Sequence, residues 1–503
     1  MTFPALLLSD HMANLADRRA AADPHGPAVS DDNTELDNQE FLRRVLQASE
    51  YLRVHGARPG DVVALQLPNG VDFVVLLFAA WRIGCTVTPV NPALLPDETQ
   101  YQLTDSGAVL LVDLHGEARF EGATTIAATA MVSADGGRLD EPVTDHEAMA
   151  LLIYTSGTTG RPKGVILTHA NLIAMASMGA EGLRASRTDR SLLILPLFHV
   201  NGIVVSVLVP LLVGGSTVIG GRFDPATFFD LVDRVRPTYF SGVPTIFALL
   251  AQLPEECEPD ASSIRFAACG AAPAPAGLLE AFERRFGFPV LEGYGLSEGT
   301  CASTINPADG TRKPGTVGLP LPGQRIKIVD ADGSEVGQGV TGQVAISGAN
   351  IMLGYLGRPE ETRAALVDGW LMTGDLGHLD SDGYLTIDGR VKDMIIRGGE
   401  NIYPREIEDV LATHPSTVNV AVVGQPDQMW GEVVTAFVTV NTGDVPTSVE
   451  ADLHAWCAQR LTPYKRPVSI AVLSELPLNA MGKIDKLALR STAKRPPTSP
   501  RST

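Results

Sequence analysis

Runs of β-branched and aliphatic residues alternate along this chain with stretches whose apolar positions recur at helical spacing. DVVALQL at 61–67 gives way to VDFVVLLFAAWRIG at 71–84, then to CTVTPVN at 85–91, then to an Asp-Glu start leading into ETQYQLTDSG. The rhythm returns as TVIGG, FDPATFFDLVDRVRP and TYFSGVP. It predicts βαβ units, hence an α/β protein of layered, largely parallel sheets with helices on their faces. After about residue 310 the texture changes to the short Gly-rich segments GQRIKIVD, GQVAISG and GYLTIDGR, which predict a small antiparallel, barrel-like β section. A second compact unit is expected to start at VKDMIIRGGENIYPREIEDVL, where strand, glycine turn and a helix opened by Pro404 follow one another. The tail TAKRPPTSPRST is rich in Pro, Ser and Arg and reads as disordered.

One apolar stretch could be mistaken for a membrane span. No Asp, Glu, Lys or Arg lies between Arg190 and Arg222, and SLLILPLFHVNGIVVSVLVPLLVGG is long enough to cross a bilayer. Pro196, His199, Asn201, Gly202 and Pro210 break it into short pieces. A buried strand over 192–195, a polar turn and a buried helix are expected instead, since core elements covered on both faces also read as unbroken apolar runs.

At 503 residues, 45% hydrophobic and 6% aromatic, the chain is expected to fold as one large and one smaller unit. Its formal net charge of -19 leaves little long-range attraction for nucleic acid or an anionic membrane, both of which need a basic face, so neither is expected as a partner. The five cysteines are scattered, odd in number and without a CxxC pair, which favours reduced thiols over disulfides or a zinc site. MTFPALLLSD has no basic n-region and only a short apolar core, so a cytoplasmic location is expected.

LLIYTSGTTGRPKG, residues 151–164, carries the first chemical signal. Gly157 and Gly160 let backbone N–H groups turn toward one point, Thr155, Ser156, Thr158 and Thr159 add hydroxyls, and Lys163 adds a cation. Together they suit polyphosphate. The segment nonetheless lacks the Gly-Lys-Ser/Thr ending of a P-loop, and VILTH after it reads as a strand, not a helix. A flap between two strands is predicted, able to release what it holds.

YTSGTTGRPKG resembles the signature of the adenylate-forming superfamily, which includes acyl-CoA synthetases, peptide-synthetase adenylation domains and luciferases. GYGLSE at 293–298, LMTGDLG at 371–377, GRVKDMIIRGGENIYP at 389–404 and PLNAMGKIDK at 477–486 resemble its further motifs, in the expected order. The resemblance implies an N-terminal adenylation domain over 1–390, a mobile α+β C-terminal domain over 391–490 and a tail over 491–503. It implies ATP, Mg²⁺ and coenzyme A, and two half-reactions between which the C-terminal domain rotates. A carboxylate displaces pyrophosphate from ATP to give acyl-AMP, and a thiol then displaces AMP.

By the same resemblance, 155–163 hold the β- and γ-phosphates, with Thr155 counted among the catalytic residues. Glu298 binds Mg²⁺, and Ser297 keeps a phosphate-contacting hydroxyl where the family usually has Thr. Tyr294 stacks on adenine, opposite a wall of Gly270, Ala271 and Ala272, with Glu292, Gly293 and Gly295 around it. Asp375 takes the ribose hydroxyls, Arg390 lies near the ribose and phosphate, and Lys483 bridges the carboxylate and α-phosphate. Lys392 is the hinge, and Arg397, Gly398, Gly399 and Glu400 line the tunnel for the thiol. His199 gates acyl pocket and tunnel and is not an acid–base group, because AMP is already a good leaving group.

The family's acyl pocket maps onto Asn201, Gly202, Val243, Ile246, Phe247, Leu249, Gly270, Gly295, Leu296 and Cys301. None is cationic. Malonate-activating members carry an arginine on the helix that here reads IFALLA, so an apolar fatty, branched or alicyclic monocarboxylate is expected. Coenzyme A is the expected acceptor, since the insertion typical of carrier-loading ligases is not seen between the motifs. Three alternatives remain open: an acyl-carrier protein as acceptor, a luciferase-like oxidative enzyme, and a degenerate adenylate binder. The oligomeric state, a homodimer included, is not fixed by the sequence.

Overall fold

The computed structural model describes residues 11–117, 119–133, 141–155, 161–275, 277–441, 446–478 and 484–492, the side chains of 132–133, 446–448 and 492 excepted. The chain divides into two compact units, Met1–Ile326 with Ala345–Met372, and Lys327–Val344 with Thr373–Thr503.

In the first unit, a seven-stranded sheet runs in the order Gly354–Tyr355, Lys163–Thr168, Met149–Thr155, Thr86–Pro89, Val62–Leu65, Ala108–Asp113 and Thr124–Ala127. Val62–Leu65 pairs in parallel with both its neighbours, and every residue of it is buried. That burial explains the absence of in–out alternation in VVAL. The helix Val71–Arg82 is likewise buried at every position but Asp72, because it packs against both the strands and the helix Asn38–Val54. A helix covered on all sides has no use for a polar stripe.

A second sheet has nine strands. Val290–Tyr294, Phe266–Cys269, Tyr239–Gly242, Arg190–Leu193, Ser216–Ile219 and Pro27–Ser30 follow one another in parallel. The carboxyl ends of four adjacent strands, at Leu193, Gly242, Cys269 and Tyr294, therefore open on one edge. That edge is where open α/β sheets bind ligands.

The apolar run after Arg190 forms the strand Arg190–Leu193, two residues earlier than predicted, and then helical turns from Val200 to Leu212. Among the described residues no helix is long and apolar enough to cross a membrane. Its middle turn, Val204–Leu208, is a π-helix, which leaves carbonyls without their usual helical partners. Three strands supply hydroxyls to them. Tyr239 donates to Val205 O at 2.8 Å, Thr217 to Ser206 O at 2.7 Å, and Ser191 also to Ser206 O.

In the second unit, residues 375–379 of the strand Trp370–Leu379 pair antiparallel with Leu385–Arg390. A further five-stranded sheet carries Glu400–Ile402, Ile395–Arg397, Gly431–Val440 and Thr417–Asp427, with Ser469–Val472 alongside Gly431–Val440. The helix Pro404–Ala412, with proline in its first turn as predicted, buries Ile407 and Leu411 against Val422 and Val434. On the other face, Leu489 of the helix Lys486–Thr492 meets Val423 and Phe437. That helix covers 491–492, and the rest of the predicted tail lies outside the described residues.

Candidate active site

The strands Met149–Thr155 and Lys163–Thr168 form an antiparallel hairpin with Thr155 opposite Lys163, so the loop does join two strands. Ser156, Gly157, Thr158, Thr159 and Gly160 lie outside the described residues. Both arms of the hairpin are tied to the helix Pro96–Ser106. The Tyr154 hydroxyl donates to Asp105 at 2.8 Å, and the Tyr101 hydroxyl donates to Pro162 O at 2.9 Å while accepting from Arg358 at 3.2 Å.

Lys163 is ion-paired with Glu361 and lies over the Tyr355 ring, 5.1 Å from its centroid. The Tyr355 hydroxyl donates to Glu298 Oε1 at 2.9 Å. Burial, then the neighbouring Glu298 charge, pushes the Tyr355 phenol up, so it stays a donor. The Lys163 ammonium holds the Glu361 carboxyl below the usual carboxylate range. Tyr355, Glu361, Tyr101 and Arg358 were not signalled by the sequence. Tyr355 sits in a two-residue strand, and a Glu after a proline reads as a helix start.

Glu298 stands in the 3-10 turn Ser297–Gly299. Thr300 at φ +56° and Cys301 at φ +122° force the chain to turn back on itself, so that Ser303 N–H reaches Tyr294 O at 2.8 Å. Non-glycine residues in that region of φ are strained and concentrate at functional sites. A Cβ on Gly295 would stand 1.9 Å from Cys301 O, which restricts that position to glycine. Asn350 braces the turn by donating to Gly299 O at 2.7 Å.

The proposed adenine wall comes from neighbouring strand ends. Cys269 pairs with Glu292, so Gly270, Ala271 and Ala272 leave one strand beside Gly293 and Tyr294 of the next. Ala271 takes φ +66°, and Glu292 Oε1 accepts from Ala274 N–H at 3.2 Å, holding the turn to the strand. His199 and Asn201 follow the strand ending at Leu193, and Val243 follows Gly242. Asn201 Oδ1 accepts from Ser241 at 3.1 Å. Asn69, which the sequence did not signal, clamps the segment before His199, donating to Leu195 O and accepting from Leu197 N–H, each at 2.9 Å.

On the helix Pro244–Ala251, Ile246 and Phe247 join the core beside Phe240 and Phe282, whereas Leu249 is exposed. Cys85, Cys269, Cys301 and Cys457 are buried, and burial pushes each thiol up, Cys301 to about 12, so none of these four is poised as a thiolate nucleophile.

In the second unit, Asp375 is buried opposite Arg390, and Arg390 Nε lies 2.9 Å from its Oδ1. Lys392 is exposed in the 3-10 turn Val391–Asp393, whose Lys392 carbonyl accepts from Arg490 at 3.3 Å. Arg397 and Glu400 face each other across the hairpin that turns at Gly398 and Gly399, both at positive φ. Gly398 N–H donates to Trp430 O at 2.7 Å, and a Cβ there would come within 2.9 Å of the Trp430 ring. Lys483 lies outside the described residues, and its flanks are bridged at Leu478 and Ile484.

Parallel sheets opening on glycine-bounded turns, with a hydroxyl-rich hairpin ending in lysine, define a nucleotide-using α/β enzyme. The chain belongs to the AMP-binding enzyme family, whose model matches residues 16–356, and its C-terminal domain model matches 406–483. It is similar to a feruloyl-CoA synthase of Amycolatopsis sp, 37% identical over 482 residues that cover 94% of this chain and 97% of that protein. ATP-bound MatB from Rhodopseudomonas palustris superposes with a TM-score of 0.90 at 33% identity, covering 96% of this chain and 99% of that one. The o-succinylbenzoate CoA synthetase MenE of Bacillus subtilis, in complex with ATP and magnesium, gives 0.87 at 33% identity, over 96% and 98%. The chain is an adenylate-forming, ATP-dependent acid–CoA ligase, a class that uses ATP, Mg²⁺ and coenzyme A.

Among the described residues no group of three or more His, Cys, Asp or Glu side chains could hold a metal. A magnesium ion at Glu298 would take a carboxylate oxygen from it, with phosphate oxygens and water contributing to the oxygen shell the ion prefers. Glu298 fits that requirement.

Proposed function

We propose that this enzyme activates an apolar monocarboxylic acid, fatty, branched or alicyclic, as its acyl-adenylate and passes the acyl group to coenzyme A. The observation that supports the first step best is the Tyr355 contact, which brings the hairpin cation Lys163 to the carboxylate Glu298. In that step a substrate carboxylate oxygen attacks the α-phosphorus, and the bond to the bridging oxygen of pyrophosphate breaks. Thr155, 156–160 and Lys163 hold the departing phosphates, and Lys483 neutralises charge that develops on the α-phosphate. Mg²⁺, when bound at Glu298, supplies charge neutralisation of the polyphosphate. Tyr294 and 270–272 seat the adenine, while Asp375 and Arg390 hold the ribose.

In the second step the thiol sulfur attacks the acyl carbon, the bond to the AMP oxygen breaks, and the thiol proton leaves to solvent. Arg397, Gly398, Gly399 and Glu400 line the thiol's path, Lys392 is the hinge between the steps, and His199 separates acyl pocket from tunnel. The apolar acid is supported by the helix Pro244–Ala251, PTIFALLA, which carries no cation to meet a second carboxylate. Reduced, buried thiols support a cytoplasmic location.

A panel of fatty, branched, alicyclic, aromatic and dicarboxylic acids with ATP, Mg²⁺ and coenzyme A, followed by mass spectrometry for AMP and thioester, tests the proposal. Apolar monocarboxylates should give stoichiometric AMP and thioester. Preference for a dicarboxylate would overturn the substrate class, and acyl-AMP without thioester would point to a carrier-protein acceptor.

A further inference from the structure

Tyr355 reaches two groups that the proposed function treats separately. Its hydroxyl donates to Glu298 Oε1 at 2.9 Å, and its ring lies beneath the Lys163 ammonium at 5.1 Å from the centroid. Backbone pairing fixes it there, since Tyr355 stands opposite Val165 in the strand that Lys163 begins. The Glu298 end is fixed as well, because Met352 N–H donates to Glu298 O at 2.8 Å. Glu361, in the first turn of the helix Pro359–Ala365, is ion-paired with the same ammonium. One side chain thus sets the spacing between a carboxylate suited to a hard cation and a cation suited to phosphate.

We infer that Tyr355 is a positioning residue for magnesium-bound nucleotide, orienting the Glu298 carboxylate through its hydroxyl and seating Lys163 through its ring. The inference rests on the roles given above to Glu298 and Lys163. The two functions of the side chain are separable. Removing the hydroxyl frees the carboxylate to rotate and should be felt only when metal is present, whereas removing the ring should also weaken the grip on phosphate itself.

The test is calorimetric titration of the full chain with ATP, once in excess Mg²⁺ and once in EDTA, alongside a melting temperature for each variant. Tyr355→Phe should weaken Mg²⁺·ATP roughly tenfold, the size of one lost hydrogen bond to a charged group. Its affinity for ATP in EDTA should be unchanged, and its melting temperature should fall by no more than the loss of one hydrogen bond accounts for. Tyr355→Leu should weaken both titrations. Glu298→Gln should abolish the gain in affinity that Mg²⁺ gives. If Glu298→Gln loses that gain while Tyr355→Phe keeps it, the inference is overturned and the metal role of Glu298 stands. Should Glu298→Gln also keep it, both fail together. Equal losses with and without Mg²⁺ in Tyr355→Phe would reduce Tyr355 to a structural residue and overturn the inference.

Discussion

Gly295 shows how narrowly single positions are set around the site. A Cβ there would meet Cys301 O at 1.9 Å, so the sharp return of the chain after Glu298 depends on one missing carbon. The glycine is visible in GYGLSE, but its reason lies in the backbone of residues that follow it. Lys483 is the opposite case, a residue whose role comes from its motif. Lys483→Ala should lower acid-dependent ATP–pyrophosphate exchange by about 10²–10³, as expected for one fixed charge aimed at a transition state. Thioester formation from supplied acyl-AMP should be largely spared, and equal loss of both activities would remove Lys483 from the first step.

At the scale of elements, the informative case is the apolar run after Arg190. Its break at Pro196 was legible, because proline ends a strand, whereas Gly202 and Pro210, expected to divide the run as well, lie inside the continuous helical turns from Val200 to Leu212. The π-turn at Val204–Leu208 was not legible, since the hydroxyls that satisfy its carbonyls come from strands at Ser191, Thr217 and Tyr239. Tyr239 is fully buried and donates to Val205 O. Tyr239→Phe leaves that carbonyl short of a donor and should cost about 1–2 kcal/mol, read as a lower urea midpoint at unchanged slope. The hairpin of Met149–Thr155 and Lys163–Thr168 was legible as two apolar runs around a glycine-rich loop. Its tethers through Tyr101, Asp105 and Arg358 were not, because each comes from a distant segment.

For the whole molecule, pH acts through a cluster of histidines in the first unit. The His11 ring lies 4.1 Å from that of His169 and 5.0 Å from that of His146. Burial, reinforced by the neighbouring imidazoles, lowers His169 well below 6.5, and burial likewise lowers His11. The unfolded chain therefore binds more protons than the fold once pH drops below about 6.5, and stability falls as pH falls through that range. Melting temperature should decline from pH 7 to 5, and His169→Phe, which keeps a ring but cannot titrate, should flatten the decline. A slope unchanged by that variant would place the acid sensitivity elsewhere. Lys392→Pro, in an exposed turn, should slow thioester formation more than pyrophosphate exchange. Equal rates would mean that no movement at this turn separates the two steps.

The α/β class and the identity of the motifs could be read before any folding was known, because periodicity and short glycine-bounded strings are properties of neighbours along the chain. It also named Glu298 and Lys163 as separate candidates. That they share Tyr355, that Phe247 packs with Phe240 and Phe282, and that Asn69 clamps the segment before His199 became visible only once the chain was folded. Each of those facts joins segments far apart in sequence, and such pairings are set by packing and sheet register, which no local pattern encodes.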